Sequence, residues 1–252
     1  MSSEEEGRLS DKLERVTGKV EPVVFTGLEA LDKMLGGIPN GSVIVLYGRP
    51  GSGFDIFAQQ VLFSKASLGE AKSLYFTAEH PIEDISSEMV ARKWNVDRLV
   101  EERRWEFIDA FTLRSNIRKG DAGPKVLLDA FSAYIKKIGP DVWSVVDTFS
   151  YYLAHYDKKE IMGFVDDIIA HARENGGLHL LLTVEGVVDP QVVTNIAHLT
   201  DGLFRFSLDP EQTEAMGLMR IEKLRKADYV TRMIAYRITD TGLAIETSVR
   251  MA

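Results

Sequence analysis

The chain has 252 residues, 45% apolar and 27% charged, which is enough for one large α/β domain with a substantial core or for two small ones. A formal charge of −8 argues against general nucleic-acid binding, which rests on many Lys and Arg contacts to phosphate. The absence of cysteine excludes disulfides, thiol nucleophiles and thiolate metal sites. No apolar run approaches the roughly 20 residues needed to cross a bilayer, and the acidic first residues are unlike a secretory signal. A soluble, cytoplasmic protein is expected.

Residues 1–22 form a charged tail, in which Leu9, Leu13 and Val16 share a helical face, and 23–252 read as one domain. Thr26 is placed to cap a short helix bearing Leu28, Leu31 and Leu35, stopped by Gly36-Gly37. Pro39-Asn40-Gly41 then turns the chain into the apolar strand Val43–Tyr47. Next comes Gly48-Arg49-Pro50-Gly51-Ser52-Gly53-Phe54-Asp55, followed by a helix over about Asp55–Leu68. Strand, glycine-rich loop and helix are the layout of a phosphate-binding loop. That motif needs Gly, four residues, Gly, then Lys and Ser or Thr. The glycines are correctly spaced, but Phe54 holds the lysine position and Asp55 the hydroxyl position.

Beyond the loop, Ser73–Ala78 reads as a buried strand ending in Glu79-His80, and Pro81 opens a helix to about Trp94. Trp105–Asp109 is a strand, Leu113–Gly123 a loop, and about Lys125–Ile138 a helix. The strand Val142–Val146 is closed by Asp147-Thr148. A helix over about Lys158–Asn175, the strand Leu178–Val184 and a helix over Pro190–Leu199 follow. Four closing strands are expected at Asp201–Leu208, Leu218–Leu224, Arg232–Ile238 and Leu243–Thr247. Alternating strands and helices followed by a run of strands predict an α/β fold with a mainly parallel sheet and an antiparallel C-terminal extension.

The run TGLEALDKMLGGIPNGSVIVLYGRPGSG resembles the segment leading into the ATP site of KaiC-like and RecA/RadA-type ATPases. EHPIEDI, DRLVEERRWEFIDA, TDGLFRF, RIEKLRK and YRITDTGLAI extend the resemblance over about residues 23–247. It implies a RecA-like P-loop fold that usually hydrolyses ATP at the subunit interfaces of rings or filaments. The implied cofactor is ATP with Mg²⁺, and the implied partner is a second copy or a related RecA-like subunit.

Residue by residue, the resemblance assigns Gly48, Gly51, Ser52, Gly53, Phe54 and Asp55 to the nucleotide loop, and Asp147 to the Walker B acid that holds Mg²⁺. An acid ending an apolar parallel strand beside such a loop is also where physical placement would put a metal ligand. Glu79 matches the glutamate that polarises the attacking water, and Glu79-His80 looks more like the pair in RecA than the double glutamate of KaiC. Lys223 and Arg225 match a Lys-x-Arg pair that reaches a neighbour's γ-phosphate like an arginine finger; the same spacing also fits a plain solvated strand face. Thr148, Thr183 and Glu185 stand where supporting residues occur, and Tyr151, Tyr152 and Tyr156 read as packing.

Phe54 cannot replace the lysine charge, and Asp55 puts a negative charge where phosphate and metal would sit. This argues against ATP and Mg²⁺ being held. Phe54 is expected to fold over the loop or face a partner, and Asp55 to accept backbone N–H bonds in place of phosphate. The expected function is therefore a non-hydrolysing regulatory or assembly module, with a weak or absent ATPase. A working ATPase with a non-standard loop is the alternative, followed by a RadA-like recombination accessory.

Overall fold

The computed structural model describes residues 22–117, 125–209 and 216–247. The first 21 residues, including the face of Leu9, Leu13 and Val16, and positions 118–123 of the expected 113–123 loop lie outside them.

The apolar run before the glycine-rich loop forms β3 (Ser42–Gly48), buried along its whole length. Burial on both sides is what a central parallel strand demands. Ile44 and Leu46 enter one core cluster, while Val43, Val45 and Tyr47 enter the other, so the pleat sends alternate side chains to opposite faces. β3 pairs in parallel with β7 (Leu178–Val184) and β8 (Gly202–Leu208). Beyond β7 lie β6 (Val142–Asp147), β4 (Lys72–Thr77) and the edge strand β5 (Trp105–Asp109), all parallel. On the other side β9 (Gly217–Leu224), β10 (Ile234–Thr239) and β11 (Gly242–Ile245) run antiparallel. The order β11-β10-β9-β8-β3-β7-β6-β4-β5 is the expected mainly parallel sheet with its antiparallel extension. A separate ribbon pairs β1 (Val23–Val24) with β2 (Ile38–Pro39).

The helices, in chain order, are α1 (Glu29–Leu35), α2 (Phe54–Leu68), α3 (Ile82–Ala91), α4 (Val96–Glu101), α5 (Ala110–Ile117), α6 (Lys125–Ile135), α7 (Phe149–His155), α8 (Lys158–Asn175) and α9 (Pro190–Leu199). They cover both sheet faces: α2 buries Phe57, Ala58, Val61 and Leu62 on one, and α6 and α8 bury Phe131 and Phe164 on the other. α8 carries a complete capping box, Asp157 with Glu160. In its last turn Arg173 donates to the Gly41 carbonyl (2.6 Å) and to Asp201 (2.6 Å). Asp201 also accepts from the Val43 amide (3.0 Å), which ties β3 to the start of β8.

Two expectations are corrected. The start of the expected 113–123 loop is helical, because Asp109 accepts the Thr112 amide (2.7 Å) and opens α5 directly from β5. Thr26 is not the cap of α1. Asp32 reaches back to accept from the Thr26 and Gly27 amides at 2.8 and 2.9 Å, and the cap position falls to Leu28, which makes no side-chain bond.

His179, fully buried on β7, lies 2.8 Å from Ser144 Oγ through Nδ1 and 3.1 Å from the Gly176 carbonyl through Nε2. The carbonyl requires an N–H at Nε2, so Nδ1 accepts from the serine. Burial lowers its pKa to about 4. The folded state thus resists a proton that the unfolded chain accepts below about 6.5, and the contribution of His179 to stability falls as pH drops from 6.5 to 4. Relative to His179→Gln, the wild type is expected to lose about 1.4 kcal/mol per pH unit across that window. Urea unfolding of both proteins at four pH values checks this; parallel curves would refute it.

Candidate functional site

Parallel sheets place their sites at the carboxyl ends of the strands, where loops converge. Here Gly48, Thr77, Asp147 and Val184 end adjacent strands, and Thr77 is in register with Asp147. A cavity of about 220 Å³ opens there, lined by the glycine-rich loop, the ends of β4 and β6, α2 and α3. Pro50, Gly51, Phe54, Asp55, Glu79 and Asp147 all line it. The structure thus brings Gly51, Phe54 and Asp55 of the loop together with the expected metal acid and the expected water-positioning glutamate, while Gly48, Ser52 and Gly53 are not among the lining residues.

Gly51 and Gly53 both have φ of +81°, which favours glycine. Within the loop the Ser52 amide and hydroxyl both bond the Arg49 carbonyl, at 3.0 and 2.7 Å. One backbone donor that a phosphate would use is therefore turned inward. The Ser52 carbonyl accepts from the Tyr236 hydroxyl on β10. A side chain at Gly53 would meet Ile238 at 2.9 Å. The antiparallel hairpin β10–β11 therefore closes the outer side of the loop.

Phe54 opens α2 and is 4% exposed, part of the core cluster on that face of the sheet. It does not present itself to a partner, because the helix start turns it inward. Asp55, half-buried in the first turn, caps nothing: α2 begins at Gly53 without a side-chain cap. Among the described residues no hydrogen bond of its carboxylate to a backbone amide is found, so it does not replace a phosphate as expected. It lines the cavity and raises the pKa of Asp147.

Asp147 is buried and accepts from the Tyr75 hydroxyl. Its pKa is raised to about 6, chiefly by burial; Asp55 and Glu79 add to the rise, while the Tyr75 hydrogen bond and His80 oppose it. The same burial, with Asp147 alongside, pushes the Tyr75 hydroxyl well above its ordinary value. The Asp147–Thr148 peptide is cis, and Thr148 donates to the Glu79 carboxylate. Glu79 is exposed at the mouth. Glu79 and His80 do not cap α3, whose cap position is Pro81.

Lys223 and Arg225 lie elsewhere. Lys223 pairs with Leu203 at the start of β8, the end of the sheet opposite Gly48. Its ammonium donates to the carbonyls of Ala197, His198 and Thr200 at 2.6, 3.1 and 2.5 Å and so caps α9. Arg225 is exposed just beyond β9, its amide bonded to the Asp201 carbonyl (2.8 Å). Arg49 points away from the cavity to Glu185 (2.9 Å), which also pairs with Arg205 (3.1 Å). Thr183 is buried in β7, and Tyr151 and Tyr152 pack as expected, Tyr152 stacking on Phe164.

Gln59, Tyr75, His80, Asp84 and Glu88 were not anticipated as site residues. Helical spacing held the signal for three of them: Gln59 stands four residues after Asp55, and Glu88 four after Asp84, each pair on one face. Tyr75 shares its strand face with Thr77 by the period of two.

The family described as ATPase: KaiC matches residues 24–250. A UPF0273 protein of Aeropyrum pernix is 27% identical over 239 residues, covering 88% of this chain and 92% of the relative. Flagellar accessory protein FlaH from Methanocaldococcus jannaschii superposes with a TM-score of 0.72 at 17% identity, over 91% of this chain and 100% of its own. A KaiC-like protein from Pyrococcus horikoshii superposes with a TM-score of 0.67 at 17% identity, over 90% and 99%. At that identity the two superpositions speak for the fold.

Proposed function

The chain belongs to the KaiC ATPase family, and from that premise we propose that it is a non-hydrolysing regulatory or assembly module whose nucleotide site is impaired. The observation that carries this reading is the charge of the cavity. Where the motif has a lysine there is a core phenylalanine, and where it has a magnesium-binding hydroxyl there is Asp55, facing Asp147. A triphosphate would meet carboxylates without the lysine that compensates it. With 220 Å³, the cavity is also below the roughly 300–1,000 Å³ of drug-sized ligand sites. The module works by packing against a second copy or a related subunit. Arg225, exposed at the far end of the sheet, is free to take part in such a contact; Lys223 would have to leave three carbonyls first.

Titration calorimetry with ATP and Mg²⁺ tests the reading, with no binding below about 1 mM expected. Micromolar binding, with turnover abolished in Glu79→Gln, would overturn it. That outcome would establish the second reading, a working ATPase with a non-standard loop, which the retained Glu79, Thr148 and Asp147 at adjoining strand ends favour.

A further inference from the structure

Five carboxylates line the cavity beside the loop: Asp55 from α2, Glu79 after β4, Asp84 and Glu88 from α3, and Asp147 from β6. Among the described residues, the only basic side chain lining it is His80. Acidic residues alone would not define a site, but Gln59 adds an independent observation. It lines the same cavity, is 2% exposed, and its Oε1 has no hydrogen-bond partner. The amide orientation follows from its neighbours. Tyr75 gives its proton to Asp147, so toward Gln59 it can only accept, and Gln59 Nε2 lies 3.5 Å from the tyrosine oxygen. Oε1 is thus the atom left over, a buried acceptor. Buried acceptors are nearly always satisfied, and an orphan calls for a donor.

We propose that this cavity binds a primary ammonium or guanidinium group, whose N–H donors satisfy Gln59 Oε1 and whose charge is held by Asp55 and Asp147. Among the described residues no group of three or more His, Asp or Glu is arranged to hold a metal ion. The acids are spread around the walls, which suits a cation with several diverging N–H donors better than a compact divalent ion. Phe54, Ile85 and Val184 supply apolar wall against which the methylene stem of such a group can lie. The inference rests on the reading that the loop no longer serves a triphosphate. It reverses the sign of the ligand.

Calorimetry with spermidine and with an N-acetylated, C-amidated Gly-Arg-Gly peptide tests it on the full chain. Binding is expected below about 1 mM, weakened at least tenfold in both Asp55→Asn and Gln59→Leu. Gln59→Leu removes a buried polar group, so that variant is expected to fold. Tighter spermidine binding identifies a free polyamine as the source, and tighter peptide binding a side chain of another protein. Binding that survives both substitutions is diffuse attraction to an acidic surface and overturns the proposal. If neither probe nor ATP with Mg²⁺ binds, the proposal fails and the non-hydrolysing reading stands. If ATP with Mg²⁺ binds and the cations do not, both fail.

Discussion

Phe54→Ala is expected to lower stability by about 3–5 kcal/mol, the range for emptying a packed aromatic position in a core. The residue sits where a nucleotide-binding loop carries its lysine, so the motif alone would predict tolerance to substitution there. Its environment says otherwise: it is 4% exposed and belongs to the cluster that α2 builds against the sheet with Phe57, Val61 and Leu62. Urea unfolding with an unchanged m-value is the measurement. A loss under about 1 kcal/mol would mean that the ring only covers the loop. The same burial governs any attempt to rebuild the motif. Phe54→Lys would place an ammonium stem in the core site vacated by the ring, so Asp55→Thr is the change that alters the cavity's charge without that damage.

Asp147→Asn is expected to raise stability at pH 7.5 by about 2–3 kcal/mol and to leave it unchanged near pH 4. The sign is opposite to that of most carboxylates. Asp147 has a folded pKa near 6 against an ordinary 3.8, because burial disfavours the charge and Asp55 and Glu79 repel it. The folded state therefore holds a proton that the unfolded chain releases between pH 3.8 and 6. The carboxyl is least costly below 3.8, and its cost is complete above 6. An asparagine carbonyl still accepts from Tyr75, so the hydrogen bond survives the change. In a domain of this size the gain corresponds to roughly 5–10 °C in Tm. Equal gains at both pH values would assign the effect to packing and refute the charge argument. Between pH 4 and 6, Asp147 and His179 act in opposite directions. A flat wild-type profile would conceal both, which is why each test compares a variant with its parent.

Strands buried on both faces were legible in the sequence because they are filled by near-continuous apolar runs, as in Val43–Tyr47 and in Val142–Val146, where Ser144 alone interrupts the run. α8 and α9 were legible to the residue, since Asp157 and Asp189 announce their starts with side chains that accept from the first-turn amides. α4 and α7 were not anticipated: each is a short piece, one of six residues after Asn95 and one of seven amid the aromatic run from Phe149. Asp55, Glu79 and Asp147 were legible as loop and strand-end positions. Their sum was not, because Asp84 and Glu88 join Asp55 and Asp147 only when α3 folds back over the loop. Nor could spacing reveal that Lys223 is engaged, since its three acceptors lie 23 to 26 residues earlier, at the end of a helix.

The clasp between the loop and the C-terminal hairpin also bears on the order in which the molecule assembles. Ser52 and Tyr236 are 184 residues apart, and Gln60 exchanges two hydrogen bonds with the backbone of Leu243 across 183. Contacts of that separation carry the greatest loop-closure entropy and form late. On the ribosome, β3, β4 and β6 have all emerged while Tyr236 is still unmade. The glycine-rich loop therefore passes through a period in which its strand neighbours exist and its outer side is uncovered. Any encounter with a ligand or partner subunit in that interval meets a more open site than the finished protein offers.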